Sequence, residues 1–571
     1  MTVTNHIVKR TDYVYNLGNF GRPITTISTQ AQIWFNRGLT WAYTFNHKEA
    51  AACFEQAIAH DDSCAMAYWG LAYALGPNYN HPWEFFGRNL EDVARRTYNA
   101  VQKAKALAAT ATPVEQALIT AIQARFQGDK PATMEQYRAH NRAYADAMEV
   151  AYREFDDDLD IMTLYADSMM SLSAWKLWDL VTGKPKEGTR TLEAKEVLEK
   201  ALRNKDAYQH PGLLHMYIHL IEMSPTPELG LVPADSLRYL VPDSGHSCHM
   251  ASHLDVQVGD YRAAVLANQL ATIADEKFLK LEGPFNFYTN YRMHNYHTLI
   301  YAAMFAGQKA VALDAVNRME ATLPKEFIAQ IPDFLEVYMS VRSHVMVRFG
   351  MWEEIITCPL PDDPVLYCVT TAMAHYSKGV AYAATGNIAG AEHQRELYLE
   401  AAKHVPESRL DFPNKCVDIL GVGSAMLDGE IQYRRGNYDK AFEHLRRAIE
   451  LDDGLGYGEP WSWMQPSRHA YAALLLEQGH VEEAAAVYRA DLGLDDSVIR
   501  ARHHPNNVWA LQGYHECLVR LGRTDEARVI EPQLKVAVAV ADVPVTSSCF
   551  CRTDTSQVPD MENVCSKRTC L

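Results

Sequence analysis

Eight of the chain's 23 histidines fall between His210 and His297, and seven of them sit at helical spacing: His215 and His219, then His246, His249 and His253, then His294 and His297. Imidazoles three and four residues apart share one face of a helix, and imidazole suits zinc, copper, iron and nickel. The chemistry these residues point to is a transition-metal centre. Seven histidines exceed both the closed four-ligand shell of a structural zinc and the three protein ligands of a catalytic one. The excess suggests two ions, or one ion with supporting histidines. An almost all-imidazole shell leans towards copper over magnesium, calcium or manganese, and two coppers held by a few histidines each would be able to reduce dioxygen. Iron is the main rival, because histidine with a carboxylate such as Glu222 or Asp255 fits the two-His-one-carboxylate arrangement. Zinc is a further alternative. Glu222 is placed to orient a ligand or move a proton, and Tyr291 is the second catalytic candidate. Tyr217 and Tyr288 are candidates to line a substrate pocket, with Tyr296 nearby. Ordinary packing in a chain with 30 tyrosines accounts for them equally well.

The elements that must position these residues show in an internal repeat. A glycine followed five residues later by alanine recurs at Gly259/Ala264, Gly307/Ala312, Gly386/Ala391, Gly436/Ala441, Gly479/Ala484 and Gly522/Ala527. A small residue stands twelve positions before the alanine at Gly38/Ala50, Gly379/Ala391, Gly429/Ala441 and Ala472/Ala484. Such a pattern fits a helical hairpin, in which the glycine makes the turn and small residues let two helices approach closely. The spacings resemble the tetratricopeptide repeat, a helix-turn-helix of about 34 residues. That likeness implies an all-α fold, a right-handed tetratricopeptide-like superhelix whose units bury their apolar faces by stacking on neighbours. We expect one continuous solenoid over residues 31–542, with histidine-rich central repeats at about 205–350 and a degenerate stretch between about 85 and 200. Residues 1–30 read as an extended N-terminal cap.

With the turn glycine as position 15, His246, His249 and His253 take positions 2, 5 and 9, and His294 and His297 take 2 and 5. His215 stands 34 residues before His249, so His215, His219 and Glu222 take 5, 9 and 12. The next repeat, framed on Gly350, adds His344 at 9 and Arg348 at 13 as candidate substrate contacts. In the tetratricopeptide family this face lines the concave groove, so the resemblance implies three helices pointing imidazoles into one hollow. His47, at a predicted turn, reads as structural.

The segments NLGNFGRPITTIS, DSMMSLSAWKLWD, HPGLLHMYIHLIEMSPTPELG, PDSGHSCHMASH and VMVRFGMWEEI together resemble a largely uncharacterised, histidine-rich tetratricopeptide-like family of bacteria and fungi. The likeness is near full length and marks HMYIHLIE and HSCHMASH as the family's hallmark. It departs at Asp167, where a glutamate is expected, and at Ala251, where a proline is expected. The family implies a fold and carries no activity over.

Composition excludes several classes. A net charge of −17 argues against nucleic acid and anionic membranes, which want basic faces. The N-terminus lacks the apolar run of a signal peptide and no stretch approaches a membrane span, so the cytoplasm is the expected compartment. Seven scattered cysteines look like reduced, packed thiols. The tail from about 543 reads as disordered, and the spacing of its Cys549, Cys551, Cys565 and Cys570 matches no common zinc pattern. No phosphate loop or nucleophile elbow appears.

Three readings follow. The first is a copper or iron enzyme that oxidises a small organic molecule with dioxygen in the groove. The second is a scaffold that binds a peptide or protein partner without catalysis. The third is a zinc-dependent hydrolase or lyase.

Overall fold

The computed structural model describes residues 9, 10 and 12–553. Helices make up almost all of the regular structure, and the one sheet among the described residues is the short antiparallel pairing of Leu410–Asp411 with Asn414–Lys415. Contacts divide the chain into two units, Met1–Leu254 with Ile273–Phe278, and Asp255–Thr272 with Leu279–Leu571. The expected single run of solenoid is therefore described as two bodies.

Unit 1 contains α1 (Thr29–Tyr43), α2 (His47–His60), α3 (Ala65–Leu75), α4 (Leu90–Leu107), α5 (Pro113–Gln123), α6 (Met134–Glu154), α7 (Leu159–Met170), α8 (Thr191–Ala201), α9 (Pro211–Ile221), α10 (Leu231–Leu237) and α11 (Gly245–His249). Successive helices pack on one another from α1 to α4, and α9 packs on α1 and α7. The degenerate stretch of the repeat pattern is thus helical too, as α4 to α8. Helices α12 (Ala251–Val258) and α13 (Tyr261–Glu282) follow. Unit 2 continues with α14 (Tyr288–Phe305) and α15 (Lys309–Ala321), then helical pairs such as Cys368–Ala384 with Ile388–Lys403 and Cys416–Arg434 with Tyr438–Gly454.

The repeat signature has a direct backbone cause. The six predicted turn glycines, from Gly259 to Gly522, all have φ between 69° and 85°, the left-handed region that only glycine enters without strain. Their partner alanines are buried, where the small side chain lets the paired helices meet. At the first repeat Phe54 wedges between Gly38 and Gly70. A Cβ on Gly38 would lie 2.9 Å from the Phe54 ring, and one on Gly70 would overlap it.

Residues 543–553 depart from the expected disordered tail, because their polar groups find partners inside unit 2. Ser548 Oγ donates to the His469 carbonyl at 2.7 Å, and Arg348 Nη2 donates to the Ser548 carbonyl at 2.8 Å. Arg552 makes a two-pronged buried ion pair with Glu516, at 2.8 and 2.9 Å. Cys549 and Cys551 are joined in a disulfide, whereas Cys565 and Cys570 lie outside the described residues. The seven cysteines of the body are free thiols.

Asp491 ties three helices of unit 2. Its carboxylate accepts from His469 Nε2 at 2.9 Å, His504 Nδ1 at 2.8 Å and Asn507 Nδ2 at 3.1 Å. Arg348 Nη1 donates to His469 Nδ1 at 3.1 Å, so His469 must be neutral to serve both neighbours. Burial holds its pKa down at about 4.

Two outcomes are expected. Gly70→Ala should destabilise unit 1 by about 1–3 kcal/mol through overpacking against Phe54, read as a lower denaturation midpoint; an unchanged midpoint would mean that Phe54 is no wedge. Acidification should destabilise unit 2. The unfolded chain protonates His469 below about pH 6.5 and the folded one only near 4. The unfolded state therefore binds more protons in that window, and stability falls as pH drops through it. His469→Gln should flatten this part of the thermal-midpoint profile.

Candidate metal centre

Five of the seven predicted imidazoles meet in unit 1. His215 and His219 come from α9, His246 and His249 from α11, and His253 from the first turns of α12. Sequence fixes the entry of α9. The His210 side chain accepts from the Leu213 amide and Pro211 occupies the first turn. Gly212 lets the helix approach Tyr43 closely, since a Cβ there would lie 2.5 Å from the tyrosine ring. The break between α11 and α12 falls at Met250, whose φ of −52° and ψ of −36° are still helical. The alanine at 251 thus leaves the spacing of His246, His249 and His253 intact.

The ring orientations are set from behind. His215 Nδ1 donates to the Tyr43 carbonyl at 2.6 Å. His219 Nδ1 donates to Glu222 Oε1 at 2.9 Å, and His253 Nδ1 to Glu222 Oε2 at 2.6 Å. A carbonyl and a carboxylate only accept, so each Nδ1 carries the proton and each Nε2 keeps its lone pair. This outer partner on the non-ligating nitrogen is the usual support of a metal-binding histidine. His215 Nε2 and His219 Nε2 are buried without a hydrogen-bond partner. One ligand atom from each of His215, His219 and His246 lies within 4.8 Å of the other two. Three such atoms share a point about 2.8 Å or less from each, close to the reach of a metal–nitrogen bond of about 2.0–2.1 Å. His219, Glu222 and His253 form a second group of the same span. His249 Nε2 stands 2.8 Å from His253 Nε2.

Electrostatics favour neutral imidazoles here. Burial, then the neighbouring His219, push the His215 pKa well below its ordinary value. Burial outweighs Glu222 and lowers that of His219. Burial alone would raise the Glu222 pKa, but His253 and His219 and their hydrogen bonds outweigh it and keep the carboxyl ionised. Metal ligation needs neutral imidazole, so at neutral pH no proton has to leave His215 or His219.

His215 is 0% exposed and Glu222 1%, so the cluster occupies packed interior and not the open groove that the repeat implied. Tyr217 Oη donates to Glu199 Oε1 on α8 at 3.4 Å. His294 and His297 sit on α14 in unit 2. His297 Nε2 is 3.2 Å from Met464 Sδ. With His344 and Asp411 it lines a buried cavity of about 20 Å³, room for a water rather than a substrate. Arg348 is engaged by His469, Ser548 and the Trp509 ring, 4.8 Å away. Tyr288 and Tyr291 pack against each other at 5.6 Å between ring centres, near the start of α14.

Sequence reasoning missed Phe45. It stands five residues before Ala50, the position glycine takes in later repeats, and has φ of 61°. A phenylalanine there is strained. Its ring lies 4.2 Å from His215, 5.9 Å from His219 and 5.7 Å from His246, centre to centre. The signal was present as a missing glycine. Tyr79, 4.9 Å from His219, covers another side.

Glu222→Gln places an amide where one acceptor oxygen stood, so it cannot accept from both Nδ1–H groups. Metal affinity, measured by chelator competition, should fall roughly 10–100-fold while the helical circular-dichroism signal is kept. Unchanged affinity would mean that Glu222 does not orient ligands.

Comparison with known proteins places the repeat. The tetratricopeptide repeat model matches residues 31–64, the hairpin of α1 and α2 that supplies the Tyr43 carbonyl and Phe45. No curated protein matches. Among solved structures, a Naa15/Naa10 complex bound to HypK-THB is 14% identical over 88% of this chain and 70% of that one, with a TM-score of 0.23. Yeast Tom70 is 10% identical over 89% of this chain and 93% of that one, with a TM-score of 0.30. At these scores the likeness fixes neither arrangement nor partners. Among the described residues no helix is long and apolar enough to cross a membrane. Residues 31–64 match the tetratricopeptide repeat model, and the described residues form an all-α fold of paired helices.

Proposed function

We propose that the chain is a helical-repeat binding scaffold whose unit 1 is held together by a buried transition-metal ion, ligated by Nε2 of His215 and His219 and by His246. The observation that carries this reading is the pair of buried Nε2 lone pairs on rings whose Nδ1–H groups are already spent on the Tyr43 carbonyl and Glu222. Leaving such buried acceptors unpaired is unfavourable, and an ion would satisfy them. His249 and His253, with nitrogens 2.8 Å apart, are the candidates for a second ion. The donor set suits copper, iron or zinc and not magnesium or calcium.

The ion would link pieces of chain far apart in sequence. Tyr43 and Phe45 belong to the first repeat, His215 and His219 to α9, and His246 to α11. Burial favours an organising role over turnover, because an organic substrate needs an open ligand position it can reach, and these side chains are enclosed by Phe45, Tyr79 and their own helices. Oxidation of a small molecule, the first reading from sequence, gains nothing from this geometry. The matched repeat supports the binding scaffold.

Elemental analysis of protein prepared without chelator should find near-stoichiometric copper, iron or zinc, lost in His215→Ala/His219→Ala. Removing the ion should lower the thermal midpoint of the parent protein, since a ligand bound only to the folded state stabilises it by mass action. Absence of a stoichiometric metal together with an unchanged midpoint in chelator would refute the proposal.

A further inference from the structure

A second site in unit 1 has no part in the metal centre. Helices α4 and α6 and the segments that follow α3 and α5 line a cavity of about 270 Å³, whose residues include Trp83, Arg125, Phe126, Lys130, Tyr137 and His140. Its floor is aromatic: Trp83 and Tyr137 stack at 4.0 Å with planes 16° apart, and the His140 ring meets Tyr137 edge-on at 6.2 Å.

Arg125 is the unusual member. It is 2% exposed and forms no ion pair among the described residues. Its Nε makes a long 3.4 Å hydrogen bond to Asn141 Oδ1, an oxygen that also accepts from Trp83 Nε1 at 3.4 Å. Nη1 is buried with no acceptor. The guanidinium otherwise faces the rings of Tyr144, 4.9 Å away, and Phe126, 5.9 Å away. A buried charge is ordinarily paired, and a buried donor left unsatisfied costs the full desolvation of that group. Tyr137 Oη, on the same wall, is also buried without a partner. Two buried donors without a partner, Arg125 Nη1 and Tyr137 Oη, therefore belong to residues that line one cavity, beside a flat apolar surface.

Charge along the cavity wall has one sign. Lys130 stands exposed at the rim, and no Asp or Glu is among the lining residues. The buried Asp167 senses Arg125 without pairing to it, and burial raises its pKa. Burial lowers the His140 pKa, so its ring is neutral at neutral pH. One guanidinium fork and one phenol suit a planar carboxylate better than a dianion, because guanidinium matches carboxylate in two parallel hydrogen bonds. The stacked Trp83 and Tyr137 rings favour a flat or apolar body on that carboxylate.

We propose that this cavity binds a small organic monocarboxylate with an aromatic or compact apolar body, its carboxylate received by Arg125 and Tyr137 and its body lying on Trp83. The site is independent of the metal proposal, as none of its lining residues belongs to the imidazole cluster.

The test uses the full chain and titrates sodium benzoate, sodium hexanoate, sodium acetate, sodium phosphate and sodium chloride, followed by calorimetry and by Trp fluorescence. Saturable one-to-one binding of benzoate or hexanoate, tighter than acetate and absent with chloride, is expected. Tyr137→Phe keeps the ring stack and removes only the hydroxyl, and should weaken benzoate binding roughly tenfold, as for loss of a hydrogen bond to a charged group. Arg125→Lys keeps a charge but loses the fork, and should weaken it at least as much. No saturable benzoate or hexanoate binding, phosphate binding tighter than either carboxylate, or equal benzoate affinity in parent and Tyr137→Phe would each overturn the proposal. Metal content is measured in the same samples, so loss of the ion and loss of this site can be told apart.

Discussion

The structure of unit 1 turns on one carboxylate. Glu222 is buried and ionised, which in isolation would be among the least favourable arrangements a protein can make. It is tolerated because its two oxygens accept from two different imidazoles, His219 and His253. Those two bonds fix the rotation of both rings and decide which nitrogen of each faces inward. The Tyr43 carbonyl does the same for His215. A cluster of unconstrained imidazoles would flip and pair among themselves. Here the outer acceptors leave His215 Nε2 and His219 Nε2 buried without a hydrogen-bond partner on their inner side, and the orientation of those rings follows from the groups behind them.

The repeat frame supplies the rest. Each hairpin needs a left-handed residue at its turn, and from Gly259 onward glycine provides it. The first hairpin uses Phe45 instead, at φ 61°. The matched repeat thus keeps the packing residues of its kind, Gly38, Phe54 and Ala57, but spends its turn position on a ring that covers His215, His219 and His246. Local strain at a position where later repeats avoid it is understandable if the ring is worth more there than the conformational ease of glycine.

The hairpin period was legible in the sequence because it rests on backbone sterics, which glycine and alanine report residue by residue. The inward-facing histidines of α9, α11 and α12 were legible for the same reason: helical spacing determines which side chains share a face. Burial was not legible. Spacing cannot tell a groove from an interior, since both lie on one side of a helix, and the difference depends on what packs opposite. Phe45 and Tyr79 do so here, and neither is near the histidines in sequence. Residues 543–553 were misjudged on composition. A polar segment reads as disordered when its partners are unseen, and Glu516, His469 and Arg348, which hold Ser548 and Arg552, are 36 to 200 residues away. Arg125 gave no signal at all, because its distinction is the absence of an acceptor in three dimensions.

Glu222 and Arg125 are both buried charges in the same unit, and the contrast between them separates structure from function. Glu222 has its acceptors filled by the fold itself, so it needs nothing from outside and acts by orienting others. Arg125 is desolvated to the same degree, yet the fold gives its Nη1 no acceptor and shares its one Nε acceptor with Trp83. Stability alone gives no reason to keep a guanidinium in such a place, since an apolar side chain of similar volume would avoid the desolvation. The deficit is local, directional and opens on a cavity, and a group that arrives from solution with a matching oxygen pair is the simplest way to close it.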